Sequence, residues 1–573
     1  MLSFLKKIVE ILVYPRNDMF RMDTKLKEQL KHLDLDFGHI GDESTRDGVS
    51  LLLNGVEQFS HENDQLKEEN QNLKNEINRL KGEQGQPTIR AGKKDTDISS
   101  EQERKTDKPP KKRKSKAKKH KIKAHCEELC QVEASELPSD AVFKGYDPVI
   151  VQDIEIKPKN TEFKREVYYS PSLNKRFIGP LPPGYTGEFG PGIKTLVLCL
   201  YHDSVMTQPA IHRLLETTGI YLSKATISRI ITDEDSIFHQ EKADILLAGL
   251  QSSDYQHIDD TGARVNGKNH YTHVLCNPFY TAYFTRPKKD RLTILDLLSS
   301  GHLVFHLNQA AFELMVALGL SDKQQARLQP LLNDTPMSRA EIDQCLLTLF
   351  PNPKKHSTHR RIIREASALV AYQQRDDLIN ILICDDAPQF KSITEYLALC
   401  WVHEGRHYRK LKPFILTHQT KVDTVLTDLW TFYRSLLAYK EAPSEAEAEK
   451  LSEQFDALFS QTTGYDLLDD RLQKTYAKKD NLLLVLKYPQ IPLHNNSAEF
   501  GARAQTRKRD VSLQTKNEKG TQAKDTMMTI VQTARKLGVN VLNYIYDRIS
   551  LNFKMPSLSS LITLRSQMQG DTS

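Results

Sequence analysis

The segment Tyr255-Gln256-His257-Ile258-Asp259-Asp260-Thr261-Gly262 runs into an alternating stretch from His270 to Leu275. Its reading decides the fold. A strand that ends in this acidic pair can turn one polar side chain toward a site while its neighbours face a core. Taken alone, Asp-Asp-Thr-Gly reads more readily as a turn than as a metal site. Two further acidic stretches shift the balance. One is Leu382-Ile383-Cys384-Asp385-Asp386-Ala387-Pro388-Gln389-Phe390, and the other is Leu493-His494-Asn495-Asn496-Ser497-Ala498-Glu499. Three carboxylates from separate elements, Asp259, Asp385 and Glu499, suit a phosphoryl-transfer site with two Mg²⁺ ions. Oxygen ligands match that ion, and a pair of ions clamps the attacking and leaving oxygens. Period-two alternation turns Asp260 and Asp386 to the opposite side, unless either strand ends one residue earlier.

Working outward, Tyr271 to Cys276 and Tyr280 to Thr285 read as the next two strands of a meander, and a helix is expected from about Pro287 to Leu298. Residues 302–380 read as largely helical, 419–475 as a long helical stretch, and Glu499 as opening a large helix that continues to Gly538. Upstream, Pro209 to Thr217, Gly219 and a Ser223-capped helix to Ile231 form a helix-turn-helix pattern. Its second helix would offer Lys224, Thr226, Ser228 and Arg229 outward while Ala225, Ile227 and Ile230 pack. An ordinary helical hairpin fits the same pattern. The short runs Val149-Ile150-Val151 and Val167-Tyr168-Tyr169 read as strands.

The chain of 573 residues is too long for one core. It carries a net charge of +6, unevenly placed: residues 104–123 hold twelve Lys and Arg against Asp107, a local +11, which leaves about −5 elsewhere. This Pro- and Lys-rich tract, with Lys111, Lys112, Arg113 and Lys114 at its centre, cannot build a core and suits phosphate backbones. Phe59, Leu66, Leu73 and Leu80 recur at d positions, with Asn63, Asn70 and Ile77 at a positions, a short coiled coil that would pair two copies. The alternative is a solvated helix. Seven scattered cysteines imply free thiols in a reducing cytoplasm. Cys126 and Cys130 lack a second ligand pair, so structural zinc is not expected. No run approaches the ~20 apolar residues of a membrane span.

The ordered set resembles the IS66 transposases. Asp259-Asp260-Thr261 stands where that family has Asp-Glu-Thr, and Asp385-Asp386 stands at its second Asp. Cys400-Trp401-Val402-His403 with Arg406 resembles its Cys-Trp-x-His-x-x-Arg motif. Asn495-Asn496-Ser497-Ala498-Glu499 resembles its third motif. The departures are missing ribbon cysteines and Asp386 in place of a usual Gly. The intervals, 126 residues from Asp259 to Asp385 and 114 from there to Glu499, imply helical insertions.

The resemblance implies an α/β, RNase H-like mixed sheet with helical insertions, preceded by a coiled coil, a degenerate zinc-ribbon-like region and a helix-turn-helix. The corresponding division is 1–56 helical, 57–82 coiled coil, 83–124 basic linker, 125–190 ribbon-like, 191–240 helix-turn-helix, 250–550 catalytic with insertions at about 300–377 and 410–485, and 551–573 tail. It implies catalysis by Asp259, Asp385 and Glu499 with Mg²⁺ or Mn²⁺, and cutting and joining at the terminal inverted repeats of a mobile element and at target DNA. Accessory proteins of the same element are further expected partners. His403, Arg406 and Asn496 would support the site, while Arg503, Arg507, Lys508 and Arg509 would contact DNA. A regulator without chemistry, or a nuclease that never joins strands, are the competing readings.

Overall fold

The computed structural model describes residues 42–80, 124–375 and 378–570. The expected helix at the very N-terminus and the basic tract with Lys111, Lys112, Arg113 and Lys114 lie outside these residues. The described residues form two compact units, one of 42–80, 182–207 and all that follows 228, the other of 124–181 and 208–227.

Helix α1 (Glu43–Leu80) opens where the Asp42 carboxylate accepts the Thr45 N–H at 2.9 Å, an N-cap. Its first half buries Val49, Leu53 and Val56. In that half Glu57 accepts the backbone N–H groups of Phe414 and Ile415, each at 2.9 Å. Beyond Ser60, Leu66, Leu73 and Ile77 are exposed.

In the smaller unit, β1 (Val167–Ser170) and β2 (Lys175–Ile178) pair antiparallel, with Asn174 supplying the left-handed turn residue at φ 46. The strand expected at Val149-Ile150-Val151 does not form. Those residues are exposed and pair with no described strand. Helix α2 (Pro191–Leu198), in the larger unit, passes into a π-turn over Cys199–Asp203. Helix α3 (Gln208–Thr217) buries Ile211 and Leu215 but exposes Leu214. Helix α4 (Lys224–Ile231) follows Gly219 at φ 80, and the Ser223 hydroxyl accepts the Thr226 N–H at 3.0 Å. Ala225, expected to pack, is exposed. The buried residues Ile227 and Ile231 stand one turn apart on the other side.

Helix α5 (Phe238–Leu250) leads into a five-stranded mixed sheet, a three-stranded meander with two later strands beside its first. Strands β3 (Tyr255–Val265), β4 (Lys268–Cys276) and β5 (Thr281–Arg286) form the antiparallel meander. The β3–β4 hairpin turns on Asn266 and Gly267, whose φ of 47 and 75 suit a tight turn that matches strand twist. The acidic motif was read as a strand end or a turn. It lies inside β3 instead, because β4 continues to pair with it as far as Val265.

Helix α6 (Arg291–Leu298), capped by Asp290, begins the segment between β5 and β8. That segment carries the two-residue strands β6 (Phe305–His306) and β7 (Pro336–Met337) and the helices α7 (Gln309–Ala317), α8 (Asp322–Leu328), α9 (Arg339–Leu349) and α10 (Ser357–Gln373). Strand β8 (Ile381–Cys384), wholly buried, then runs parallel beside β3, and β9 (Tyr396–Leu399) runs parallel beside β8.

Helix α11 (Trp401–Arg409) is tied to a second helical segment, α12 (Leu416–Glu441), α13 (Glu445–Phe459), α14 (Asp466–Tyr476), α15 (Lys479–Leu482) and α16 (Leu484–Lys487). The tie is Trp401, fully buried against Phe432, Phe455 and Phe459, with its indole N–H donating to the Leu482 carbonyl at 3.0 Å.

The third motif opens α17 (Asn496–Ser512), and a separate helix α18 (Glu518–Lys536) follows. One helix to Gly538 was expected; Leu513 breaks it at φ 58. Helix α18 closes the free edge of the sheet. The backbone N–H groups of Thr285, Tyr283 and Thr281 on β5 donate to Asp525, Thr529 and Thr533, spaced one turn apart along α18. Side chains thus replace a missing neighbour strand and block edge-to-edge pairing. Helices α19 (Val541–Ile549) and α20 (Leu558–Gly570) end the described chain, the second where a tail was expected. It is held by buried Leu558 and Ile562, one turn apart.

Candidate active site

Alternation along β3 sorts the carboxylates by face. Asp259 pairs with Val274, and Val274 with Tyr283. Val274 and Tyr283 pack with Ala502 and Met528, so this is the face that α17 and α18 cover. Ile258, Leu275, Ala282 and Phe284 belong to the main core on the other face. Asp259 therefore points to the helix that carries Glu499, and Asp260 points away.

Strand β8 adds Asp385 by register. Tyr255, Gln256 and His257 sit beside Ile381, Leu382 and Ile383. Continued two residues, this places Asp385 beside Asp259, on the same face of neighbouring parallel strands about 4.8 Å apart. Strand β8 stops there: the Ala387 N–H donates to the Asp385 carboxylate at 3.2 Å, and a 3₁₀ turn follows at Pro388–Phe390.

Glu499 lies in the first turn of α17 and is 7% exposed. Its Oε2 meets Arg406 Nη2 at 3.1 Å and Arg503 Nη2 at 3.5 Å. Its Oε1 faces the His403 imidazole at 3.7 Å and has no hydrogen-bond donor. Arg406 also reaches His403 Nε2, at 3.1 Å. Cys400 Sγ, an imidazole nitrogen of His403 and a Glu499 oxygen lie within 4.8 Å of one another.

The electrostatics join the three acids. Burial pushes the Asp259 carboxyl up to about 7; the Asp260 N–H bond to it pulls down, while Asp385, Glu499 and Asp260 push further up. Asp260 and Asp386 are already engaged by protein groups. Asp260 accepts from Gln389 Nε2 at 3.0 Å and meets Lys289 at 3.5 Å. Asp386 meets Lys478 at 2.7 Å and Lys391 at 3.0 Å. Burial pushes its pKa up, but these two lysines outweigh burial and hold it below the usual carboxylate range.

Of the remaining expected residues, Lys224, Arg229 and Arg507 are exposed, and Thr226 is half-buried. Arg509 donates to the Gly262 carbonyl. Lys508 does not belong to a DNA-facing patch. It is 2% exposed, donates to the Tyr201 carbonyl at 2.5 Å and lies over the Tyr201 ring. Burial, then Lys524, pulls its ammonium down to about 7. The reason is helical: Arg507 and Lys508 stand 100° apart, so adjacent basic residues cannot share one exposed face. Asn496 is buried, but the link to β3 is its neighbour Asn495, whose Nδ2 donates to the Ile258 carbonyl at 2.7 Å.

Sequence reasoning passed over Asn495, His257, Lys478 and the grouping of Cys400 with His403 and Glu499. A signal existed for the last: Cys400 and His403 are three apart, which brings both to one side of a helix start.

A family profile described as "Transposase IS66 family" matches residues 361–523, a stretch that includes Asp385, Cys400, His403, Arg406, Glu499 and Arg503. An uncharacterized protein, y4jO, of Sinorhizobium fredii (strain NBRC 101917 / NGR234) is 32% identical over 313 residues, which span 54% of this chain and 95% of the relative. Carrying that profile across its second and third acidic motifs, the chain belongs to the IS66 family of transposases.

Proposed function

We propose that this protein cuts and joins DNA strands at the ends of a mobile element, using Asp259, Asp385 and Glu499 as a triad on an RNase H-like fold. The observation that carries the reading is that three acids face one side of the sheet, near enough for Asp385 and Glu499 to push the Asp259 carboxyl up, with their oxygens not all within 4.8 Å of one another. Two come from neighbouring parallel strands in register, and the third from the helix packed over them. The strand order, an antiparallel meander followed by two parallel strands, supports the fold assignment.

The residues fit a pair of divalent ions. Asp259 is crowded by three like charges, two of them Asp385 and Glu499, and the Glu499 Oε1 has no donor, as expected of oxygens arranged for a cation. Asp259 and Asp385 would hold Mg²⁺ or Mn²⁺ jointly, and Glu499 would complete the set. Bound there, the ions activate water and offset charge on phosphate oxygens. The protein's own part is placement. Arg406 and Arg503 fix Glu499 by one oxygen and leave the other directed into the site. As cations at the rim they also favour an approaching phosphate.

For DNA contact we assign Lys224, Thr226, Arg229 and Arg507, with help from the basic tract around Lys111, Lys112, Arg113 and Lys114. Phe59, Leu66, Leu73 and Ile77 of α1, between 48% and 57% exposed, would pair two copies along a coiled-coil seam.

The test is an assay with 3′-labelled element ends, a plasmid target and Mg²⁺. Cleavage and joining that both vanish in Asp259→Asn, Asp385→Asn and Glu499→Gln are expected. Cleavage without joining would instead mark a nuclease. Strand chemistry unchanged in Asp385→Asn would end the triad assignment.

A further inference from the structure

We propose that Cys400, His403 and Glu499 form a second cation position at the edge of the site, selective for a borderline-soft ion such as Zn²⁺ rather than Mg²⁺. Among the described residues, this is the one group of three metal-ligand side chains whose donor atoms come within 4.8 Å of one another.

Each ligand is held in place before any ion arrives. Cys400 follows β9 and forms the N-cap of α11, is 2% exposed, and its Sγ accepts the Asn495 N–H at 3.2 Å. His403 stands on the first turn of the same helix. Glu499 comes from the first turn of α17, fixed at Oε2 by Arg406 and Arg503. Two buried atoms here have no hydrogen-bond partner: Glu499 Oε1 and His403 Nδ1. An unpartnered carboxylate oxygen with this little exposure is costly unless something else satisfies it. His403 Nε2, which Arg406 also reaches at 3.1 Å and would have to release, sits 3.7 Å from that oxygen, close to the separation of two ligands on one tetrahedral ion.

The donor chemistry sets the selectivity. Mg²⁺ prefers octahedral oxygen ligands and has little affinity for sulfur. Thiolate, imidazole and carboxylate together suit Zn²⁺, as three protein ligands with a fourth position open. On binding, the Cys400 thiol loses its proton to solvent as sulfur takes the metal. The neighbouring guanidiniums of Arg406 and Arg503 oppose a further cation, so affinity falls below that of a closed structural zinc site. Resting on the reading of Glu499 as a triad member, Zn²⁺ here would draw Oε1 away from the Mg²⁺ pair and act as a brake.

The binding claim is tested on the full-length, chelator-treated protein titrated with Co²⁺ as a spectroscopic stand-in, with Zn²⁺ as competitor. The expected result is a thiolate-to-cobalt charge-transfer band that saturates at one equivalent and is displaced by Zn²⁺. The band should be lost in Cys400→Ser. It should weaken by at least the ~10–100-fold that follows loss of a lesser, outer partner in His403→Gln. It should persist in the double variant Cys126→Ser/Cys130→Ser, which removes the two exposed thiols. Circular dichroism confirms that each variant is folded; if Cys400→Ser is not, His403→Gln decides alone. Absence of the band, its survival in the deciding variant, or its loss with Cys126 and Cys130 overturns the proposal. Failure of the strand-transfer assay would remove the brake but leave the binding result standing, so the two readings fail separately.

Discussion

Asn495 joins the third acidic motif to the strand that bears the first. The His257 Nδ1–H donates to Asn495 Oδ1 at 2.9 Å, while Asn495 Nδ2 donates to the Ile258 carbonyl at 2.7 Å. The amide's donor end is committed to a carbonyl, so its oxygen must accept and the histidine proton is assigned to Nδ1. Burial, with Lys536 and His494 nearby, pulls His257 down to about 3 against the Asn495 bond, so the ring is neutral at pH 7.

Asn495→Ala leaves a buried carbonyl and a buried N–H without partners. At about 1–3 kcal/mol each, the loss is about 2–6 kcal/mol in urea unfolding. Asn496→Ala should cost less. The reverse ranking would show that Asn495 is not the joint.

Asp259 gives a pH signature in the absence of metal. Its folded value, about 7, lies above its usual 3.8, so the folded state prefers the proton. That contribution is fully present below about pH 4 and is lost as pH rises through 7. Asp259→Asn keeps a neutral group at every pH. With a chelator present, the variant should match the parent at pH 4 and exceed it by about 1–3 kcal/mol at pH 8, a range trimmed for partial solvent screening. Equal thermal stability at pH 8 would contradict the burial of this charge.

Gly501 lets α17 lie close to β4. A Cβ there would sit 2.5 Å from Val274 Cγ1 and 3.3 Å from both Thr281 Cγ2 and the Tyr283 hydroxyl. Gly501→Ala should destabilise by about 1–3 kcal/mol and reduce strand cleavage by lifting Glu499 off the sheet. Adding Val274→Ala should restore part of both, read by thermal melts and cleavage rate. No recovery would mean that the helix is placed by other contacts.

Lys478 bridges Asp386 at 2.7 Å and Glu404 at 3.3 Å, tying the second helical segment to the loop after Asp385. Lys478→Met should cost about 1–3 kcal/mol, because two partly buried carboxylates lose a partner. Glu404 retains Arg471 and Thr475. A double-mutant cycle with Asp386→Asn should therefore be less than additive. Strict additivity would deny the bridge.

The exposed seam of α1 makes a prediction about assembly. Leu66→Lys with Leu73→Lys should convert a dimer to a monomer in light scattering, while the melting temperature at low protein concentration stays put. A wild-type chain that is monomeric at tens of micromolar would refute the seam.

Local pattern carried much of this protein into view. Ser223 and Asp290 cap helices as their chemistry directs, since a cap needs only the next three residues. Alternation alone separated Asp259 from Asp260, because a strand's period is a property of the backbone. The spacing of apolar residues marked the meander and both helical segments. Long-range packing decided the rest. Lys508 reads as one of three adjacent basic residues, and only the turn of α17 against Tyr201 buries it. The choice of Asn495 over Asn496 depends on which one meets β3, 237 residues away. Leu513 looks like any helix residue, yet the docking of α18 along the sheet edge requires the chain to turn there. Thus the sequence by itself determined where helix caps fall and which side of β3 each carboxylate takes. Which side chains share a face, and which are sealed from solvent, was decided only in the fold, where distant residues meet and compete for the same space.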